Sequence, residues 1–539
     1  MKKGQTASPQ DFFRSLEKVG INPKSISQVL VVSDLHLSQG VSQKTKLWDR
    51  RENFTADEAF DAFLAQKREN ARQSGASPLL VINGDFIDFL RITRVPEGEE
   101  LHPWREALDR VTKDKLPDQN ERALEDFDRF ARAWQKYVLN RRWWHILTPP
   151  YREKRSLRSE ARYGLRTQDF KTVYRLLVAF EGHSKLFDAL TNWLGAGFPL
   201  AIVTGNHDPE LDQALTEACL RYHLEELAKR QNTPRTDFSK TLAFFPHGIE
   251  IAERIRIEHG HRYEWHTQTH DKWLKESTQE IELPAGSLYN RYLINRMEIE
   301  VPYLDNVKPN TRVITHLVKH HPIRTLKLLG QLFRTVWRLM FKRGARRLIA
   351  LGAFSVARIL LPLLYSVWGV YIAFQQAGDS FQPLPFLRQL FWGPDLTGGQ
   401  LPLLPILLIV VWIFDRICKR MRPHFSLDVV KVEMTRGMPP HPTPAPSVDG
   451  IGGEGKRYAI CGHTHRPTIQ FWYQENTIYL NAGTWTPVFE YDSGLVREDL
   501  TMTFVELKKE KENWEAELLR WVPFVNVQTE PILKGQRES

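Results

Sequence analysis

Short runs of apolar residues, each followed at once by polar residues, recur along this chain of 539 residues. Runs without polar alternation are typical of strands that are buried on both faces of a parallel sheet. Five such runs lie directly before carboxylate, amide or imidazole side chains. Four of them cover residues 30–32, 79–82, 200–203 and 458–460, and the fifth consists of Ile255 and Ile257 on either side of Arg256. The pattern predicts an α/β fold in which five strand ends deliver these side chains to one edge of a sheet.

The polar residues behind the runs form five motifs in chain order. These are Ser-Asp-Leu-His-Leu at 33–37, Asn-Gly-Asp at 83–85, Thr-Gly-Asn-His-Asp at 204–208, Glu-His-Gly-His at 258–261 and Cys-Gly-His-Thr-His-Arg-Pro at 461–467. One such motif alone is usually a turn, because Gly and Asp favour loops for conformational reasons. All five in order, each after an apolar run, predict a centre that binds two metal ions.

The residue types suit two divalent ions. Asp34 and His36 stand two residues apart at a strand end and are expected to bind the first ion. His465, from the last motif, is expected to be a further ligand of the same ion. Asp85 is expected to bridge the ions, since a carboxylate offers two oxygens to ions about 3.5–4 Å apart. Mixed imidazole, carboxylate and amide ligands favour Mn, Fe or Zn over Mg, and we expect Mn.

The second ion is expected to take Asn206, His259 and His463. His259 is preferred over the histidines that follow it because it comes directly after the apolar run. The later histidines are expected at the rim of the metal centre or just outside the set of ligands. They are His261, His266 and His270.

These motifs resemble those of the calcineurin-like metallophosphoesterase superfamily over roughly 26–90, 196–262 and 455–525. The resemblance implies a four-layer α/β/β/α sandwich and a metal-bridging hydroxide that attacks phosphorus. It also implies that His207 stabilises charge or protonates the leaving oxygen, and that Asp208 orients His207.

Within the superfamily the chain is most similar to the UDP-2,3-diacylglucosamine pyrophosphohydrolases of lipid A synthesis and their relatives. The shared features are His-Gly at 259–260, the insertion that follows it, and Leu-Asn-Ala-Gly-Thr-Trp at 480–485. At the third motif the lipid A enzymes resemble Gly-Asn-Arg-Asp, whereas this chain has His207.

The net charge of +10 is local, because residues 306–347 contain eleven Lys or Arg and no Asp or Glu. The rest of the chain is therefore close to neutral, and nucleic acid is not an expected partner. In the basic segment, Arg324, Lys327, Arg334 and Arg338 recur at helical spacing opposite apolar residues. Such a helix is expected on an anionic membrane surface, with a solvated face of an ordinary helix as the alternative.

Two apolar stretches follow, at 348–374 and 397–414. The first contains Arg358, but its fourteen Leu, Ile, Val and Phe residues, at about −0.3 to −0.6 kcal/mol each, outweigh one Arg at about +2.5 to +3.5 kcal/mol. Lys and Arg flank the pair at 342–347 and 416–422. Positive-inside bias predicts a transmembrane helical hairpin with both outer ends in the cytoplasm. The alternatives are a shallow insertion in the membrane plane and a soluble apolar lid.

The interruptions between motifs predict the organisation of the chain. Helices are expected at 121–140 and 167–194, and a closing β-hairpin at 501–507 and 514–521. The expected segments are an N-terminal extension (1–25), a first core segment (26–102), a helical insertion (103–198), a second core segment (199–305), the basic segment (306–347), the hydrophobic hairpin (348–422), a linker (423–456), a third core segment (457–525) and a tail (526–539).

Three cysteines at no metal-like spacing and no recognisable signal peptide indicate a reducing compartment. The expectation is thus a dimetal phosphoesterase at the cytoplasmic face of the cell membrane, acting on a phosphate or pyrophosphate ester that is expected to be lipid-linked. One alternative is an anchored phosphodiesterase or phosphatase for a soluble nucleotide or phosphoprotein. Another is a non-catalytic scaffold of the same fold. The sequence assigns no oligomeric state.

Overall fold

Eighteen strands lie in the regions of the chain that the computed structural model describes. The described residues are 12–139, 152–264, 266–268, 274–275, 277–299, 306–308, 330, 430–431, 434, 457–472, 476–492, 495–498, 501–511, 513–522 and 529–531. The strands are β1 (Phe13–Ser15), β2 (Gln28–Val32), β3 (Pro78–Asn83), β4 (Leu200–Val203), β5 (Leu242–Phe245), β6 (Gly248–Ile251), β7 (Ile255–Glu258), β8 (Leu274–Lys275), β9 (Glu280–Ile281), β10 (Val307–Lys308), β11 (Arg457–Cys461), β12 (Thr468–Trp472), β13 (Thr477–Asn481), β14 (Phe489–Asp492), β15 (Leu495–Glu498), β16 (Thr503–Glu510), β17 (Asn513–Trp521) and β18 (Thr529–Pro531).

The helices of the same described regions fall mostly between β2 and β5. They are α1 (Asp57–Ser74), α2 (Leu101–Lys115), α3 (Asn120–Trp134), α4 (Arg152–Tyr163), α5 (Asp169–Gly182), α6 (Ser184–Gly195), α7 (Ala214–Gln231), α8 (Ala285–Tyr289) and α9 (Asn295–Met297). In α1 the buried residues Phe60, Phe63, Leu64 and Ala71 recur at helical spacing and form its core-facing stripe.

Seven strands form the first sheet, in the order β18-β17-β16-β2-β3-β4-β5. Strands β2 to β5 are parallel, as the apolar runs predict, and β16 adds to them antiparallel. The predicted closing β-hairpin is confirmed, because β16 and β17 pair antiparallel along their length.

Six strands form the second sheet, in the order β1-β6-β7-β11-β13-β12. Here β7, β11 and β13 are parallel neighbours. The fold is therefore a mixed α/β fold with parallel strands in two sheets.

Both faces of the parallel strands β2 to β5 are buried, which explains why these strands are apolar almost throughout. Val29 and Val31 of β2 pack toward residues of the second sheet such as Ile257. Leu30 and Val32 point to the opposite face and pack against the helices. The described layers are thus helices, first sheet and second sheet. The fourth layer of the predicted α/β/β/α sandwich stays a prediction.

The helix predicted over 167–194 is interrupted. It consists of α5 and α6, which meet at His183, whose backbone (φ −124°, ψ 38°) leaves the helical region. The His183 ring is buried between the carboxylates of Glu52 and Asp57, at 3.1 Å from each. The break between α5 and α6 thus coincides with a contact between His183 and residues that lie far away in sequence.

The predicted hairpin at 348–422 lies outside the described residues, as does most of the basic segment at 306–347 and of the linker at 423–456. Among the helices that the structure does describe, none has both the length and the apolar character required to cross a bilayer. All the strands and helices named above belong to one compact unit.

Candidate metal centre

Five strand ends bring polar side chains together between the two sheets. Strands β2, β3 and β4 are neighbours in the first sheet and end directly before the first three motifs. Strands β7 and β11 are neighbours in the second sheet and end before the other two. Since the carboxyl ends of parallel strands meet at one edge, the sequence order of the motifs becomes a spatial cluster.

One group of ligand atoms comes from Asp34, His36 and His465. His36 Nε2 and His465 Nε2 lie 3.0 Å apart. Asp34 Oδ1 lies 3.3 Å from His465 Nε2 and 3.8 Å from His36 Nε2. Two ring nitrogens and a carboxylate oxygen that converge in this way are the donor set that a divalent transition metal takes.

A second group comes from Asp85, His259 and His463. Asp85 Oδ2 lies 3.2 Å from His259 Nε2 in this group and 3.6 Å from His36 Nε2 in the first. The same carboxylate oxygen therefore faces both groups.

Among the buried polar atoms of the centre that make no hydrogen bond of acceptable geometry with any described residue, three face the ligand groups. They are Asp34 Oδ1, Asn206 Oδ1 and His259 Nε2. A buried polar atom without a hydrogen bond costs about 1–3 kcal/mol, so native proteins rarely keep one without a reason. Coordination of a metal ion would satisfy all three, and these buried groups are able to hold one.

Each carboxylate of the centre has its other oxygen fixed by the backbone. Asp34 Oδ2 accepts a hydrogen bond from the His463 N–H at 2.9 Å. Asp85 Oδ1 accepts one from the His207 N–H at 2.8 Å. These bonds orient the remaining oxygens toward the ligand groups, and they connect motifs that are far apart in the chain.

The imidazole of His259 is fixed in the same manner. Its Nδ1 lies 3.0 Å from the carbonyl oxygen of Asn83, a geometry in which Nδ1–H donates. Donation from Nδ1 leaves Nε2 as the nitrogen for a metal ion, which is the usual arrangement for a histidine ligand.

Five of the predicted ligands adopt left-handed backbone conformations, which residues other than glycine seldom take. Their φ angles are 55° at Asp34, 52° at His36, 48° at Asp85, 70° at His463 and 58° at His465. Such conformations cost about 1–3 kcal/mol each and concentrate at functional sites. The surrounding structure thus holds these side chains in place against the backbone's own preference.

Close approach requires glycine at several motif positions, and two of these glycines, Gly205 and Gly462, lie against carboxylates of the centre. A Cβ at Gly205 would lie 2.2 Å from Asp85 Oδ1, and a Cβ at Gly462 would lie 1.8 Å from Ser33 Oγ and 2.6 Å from Asp34 Oδ2. Any larger residue would therefore displace a carboxylate of the centre.

The charges within the centre shift its proton affinities. Burial raises the pKa of Asp34, but the charges of His259 and His465 outweigh burial and hold that pKa well below its ordinary value. Burial lowers the pKa of His259, yet Asp85 and Asp34 raise it to about 9. Without an ion, a protonated His259 balances the charge of the carboxylates, and a metal ion would have to displace that proton from the ring.

His207 contacts a carboxylate that the sequence analysis missed. Its Nδ1 lies 2.8 Å from Asp88 Oδ2, and Asp88 is fully buried. Burial lowers the pKa of His207, but Asp88 and Asp85 together raise it above its ordinary value. A signal was present, since Asp88 stands three residues after Asp85 in Gly-Asp-Phe-Ile-Asp.

The role expected of Asp208 needs correction, because its carboxylate binds backbone N–H groups and not the His207 ring. It accepts hydrogen bonds from the N–H of Gly205 at 2.6 Å and of Phe86 at 2.7 Å. Burial and the charge of Asp85 raise the pKa of Asp208 to about 7. Asp208 therefore joins the loops after β3 and β4.

The other histidines near the fourth motif take different positions. The ring of His261 is buried, with its centroid 5.4 Å from that of His259. Burial and the charge of His259 hold the pKa of His261 well below its ordinary value. His266 Nε2 lies 3.4 Å from the Glu264 carboxylate, and His270 is outside the described residues.

Comparisons with protein-family models, with curated proteins and with solved structures give no match to this chain.

Proposed function

We propose that this chain is a metal-dependent phosphoric ester hydrolase of the calcineurin-like metallophosphoesterase type. The observation that carries the proposal is the pair of ligand groups that share Asp85 Oδ2. The order of the motifs in the chain is the order that the superfamily resemblance implies.

The ligands proposed for the first ion are Asp34, His36, Asp85 and His465, and those for the second are Asp85, Asn206, His259 and His463. We propose Mn²⁺ at both positions, with Fe or Zn as the other ions that suit this donor set. When bound, two such ions supply a nucleophilic water of lowered pKa and neutralise the charge of the phosphate.

His207 is proposed to act on the leaving group. Because its Nδ1 is bound to Asp88, Nε2 is the nitrogen left for substrate. The Asp88 carboxylate stabilises the protonated ring, which donates its Nε2 proton to the leaving oxygen as the P–O bond breaks. Asp88 holds the ring in this orientation and balances its charge. Asp208 supports the same loop through Gly205.

The substrate is proposed to be a phosphate or pyrophosphate ester linked to a lipid. The support comes from the sequence, in which the basic segment at 306–347 and the apolar stretches at 348–374 and 397–414 interrupt the core. A hairpin there would hold the centre beside the cytoplasmic face of the membrane, where such esters occur.

The test is turnover of an ester panel by the purified full chain in detergent with Mn²⁺. The panel contains 4-nitrophenyl phosphate, a nucleoside diphosphate linked to an acylated sugar, and a cyclic dinucleotide. We expect Asp85→Asn to reduce kcat at least about 1,000-fold, since it removes the negative charge and can replace the oxygen that faces both ligand groups by an amide nitrogen. The matched control is Asp169→Asn, a buried aspartate of the helical insertion, which should stay within about threefold of the unmodified chain.

Two results would contradict this proposal. Turnover that is unaffected by Asp85→Asn would exclude the shared-oxygen centre. Hydrolysis of the cyclic dinucleotide but of no lipid-linked ester would keep the chemistry and replace the substrate, leaving the hydrophobic segment with an anchoring role alone.

A further inference from the structure

A buried chain of charged side chains runs from His207 into the protein interior. It consists of Asp88, Arg91 and Glu298, whose exposed fractions are 0%, 1% and 0%. None of the five sequence motifs contains Arg91 or Glu298, and Glu298 follows Asp88 by more than two hundred residues. Buried charges require partners, so each member depends on the next.

The two oxygens of Asp88 serve different partners. Oδ1 accepts hydrogen bonds from the backbone N–H of Leu90 at 3.1 Å and of Arg91 at 3.2 Å, which fix the carboxylate plane. Oδ2 faces three side chains. These are His207 Nδ1 at 2.8 Å, Arg91 Nε at 3.0 Å and His36 Nδ1 at 3.4 Å.

Arg91 and His207 therefore share one carboxylate oxygen. Arg91 also donates from Nη1 to Glu298 Oε2, so Glu298 and Asp88 both hold its guanidinium group. If the charge of Glu298 were removed, the interaction of Arg91 with Asp88 Oδ2 would strengthen. His207 would then lose part of the interaction that orients its ring.

We propose that Glu298 is a positioning residue for His207, acting through Arg91 and Asp88. The inference rests on the proposed function, in which His207 protonates the leaving oxygen. It adds to that function a residue outside the motifs, on the segment that directly precedes the predicted basic segment.

Neighbouring contacts place the same segment against the loops of the centre. Ser287 Oγ donates to the carbonyl oxygen of Asn206 at 3.1 Å. Asn295 Nδ2 donates to the carbonyl oxygen of Leu90. Residues 287–298 thus contact the loop that carries a predicted ligand as well as the loop that carries Asp88.

The kinetic test compares Glu298→Gln with the unmodified chain on two esters. The Gln side chain keeps the shape and removes the charge. Phenyl phosphate needs a proton on its leaving oxygen, whereas 4-nitrophenolate leaves without one. We expect kcat to fall about tenfold for phenyl phosphate and less than about twofold for 4-nitrophenyl phosphate.

The matched control is Glu506→Gln, which removes the charge of another buried pair, Lys67 and Glu506 at 2.9 Å, on β16 away from the centre. It should affect both esters equally. Glu298→Asp, which restores the charge, should recover part of the phenyl phosphate rate. If Glu298→Gln does not fold, Arg91→Lys tests the same chain and should show the same difference between the esters.

A second readout does not depend on turnover. In the full chain loaded with Zn²⁺, the imidazole ¹⁵N resonances of His207, assigned by their loss in His207→Gln, should shift in Glu298→Gln and stay in place in Glu506→Gln. Equal rate losses for both esters, or unchanged His207 resonances, would overturn the role of Glu298. If the unmodified chain hydrolyses no ester, the proposed function fails, and the resonances alone decide on Glu298.

Discussion

At the residue scale, each carboxylate of the centre has one oxygen held by a backbone N–H and the other directed at the ligand groups. Asp34 is held by the N–H of His463 and Asp85 by that of His207. The bonds come from motifs on other strands, so the position of each ligand depends on its neighbours. Metal affinity should therefore respond to small displacements in residues that never touch an ion.

Gly462→Ala tests this dependence. The added Cβ would meet Ser33 Oγ at 1.8 Å and Asp34 Oδ2 at 2.6 Å, so the Asp34 carboxylate or the backbone must move. We expect Mn²⁺ affinity to fall about 10- to 100-fold and the free energy of unfolding to fall by about 1–3 kcal/mol. Metal titration followed by calorimetry, together with urea unfolding, measures both quantities.

The control for this prediction is Gly98→Ala. A Cβ at Gly98 would meet its nearest neighbour, Leu139 Cδ1, at 3.7 Å, which is an ordinary contact. It should leave metal affinity unchanged. Equal Mn²⁺ affinity in Gly462→Ala and the unmodified chain would show that the backbone at this position yields without moving Asp34.

At the scale of elements, the sequence predicts strands better than it predicts the contacts between loops. The apolar runs before Asp34 and Asp85 predict β2 and β3 because both faces of each strand are buried. The break between α5 and α6 does not follow from the helical periodicity of 167–194, although Gly182 at the end of α5 is a local signal for it. The role of Asp88 is not predictable from its position near Asp85 alone. Its partners His36 and His207 lie in other loops, and only the folded structure brings them to its carboxylate.

Metal removal should affect the loops at the strand ends as a group. The proposed ligands come from loops after β2, β3, β4, β7 and β11, so a bound ion would join both sheets. At a free Mn²⁺ concentration 100 times its Kd, binding stabilises the folded chain by about 2.7 kcal/mol per site. We expect the unfolding temperature of the chelator-treated chain to rise by several degrees on addition of Mn²⁺, measured by differential scanning calorimetry.

The control for metal removal is Asp85→Asn. In this variant, Mn²⁺ should raise the unfolding temperature much less than it does in the unmodified chain. Hydrogen exchange of the same samples locates the effect, since protection should increase at the five strand ends and not in α2 or α3. An unfolding temperature that does not depend on Mn²⁺ would mean that these groups bind no ion in the folded chain.

At the scale of the molecule, a second buried charged cluster joins the first core segment to the helical insertion. His183, between α5 and α6, lies between Glu52 and Asp57, which flank the start of α1. Glu52 also accepts hydrogen bonds from the N–H of Ser38 at 3.1 Å and of Gly40 at 2.7 Å, in the loop that follows His36. The cluster thus fixes the loop behind the first ligand motif to helices whose sequence lies well over a hundred residues away.

This cluster makes stability depend on pH in a defined direction. Burial lowers the pKa of His183, but Glu52 and Asp57 raise it to about 10, above the ordinary value of 6.5. The folded state therefore binds the proton more tightly than the unfolded state. The stabilisation is fully present below pH 6.5 and is lost as the pH rises through 10, and it is on the order of a few kcal/mol. His183→Gln should accordingly lower the unfolding temperature strongly at pH 6.5 and much less at pH 10.

His223→Gln is the matched control, because His223 is a partly buried imidazole, stacked on Phe180 with ring centroids 3.7 Å apart. Burial lowers the pKa of His223 to about 4, so its ring is neutral in both folded and unfolded chains above pH 6.5. The deficit of His223→Gln should therefore stay constant from pH 7 to pH 10, while the deficit of His183→Gln shrinks over the same range. Parallel curves for the two variants, measured by scanning calorimetry at each pH, would mean that His183 is neutral in the folded protein and that its contacts with Glu52 and Asp57 are ordinary hydrogen bonds.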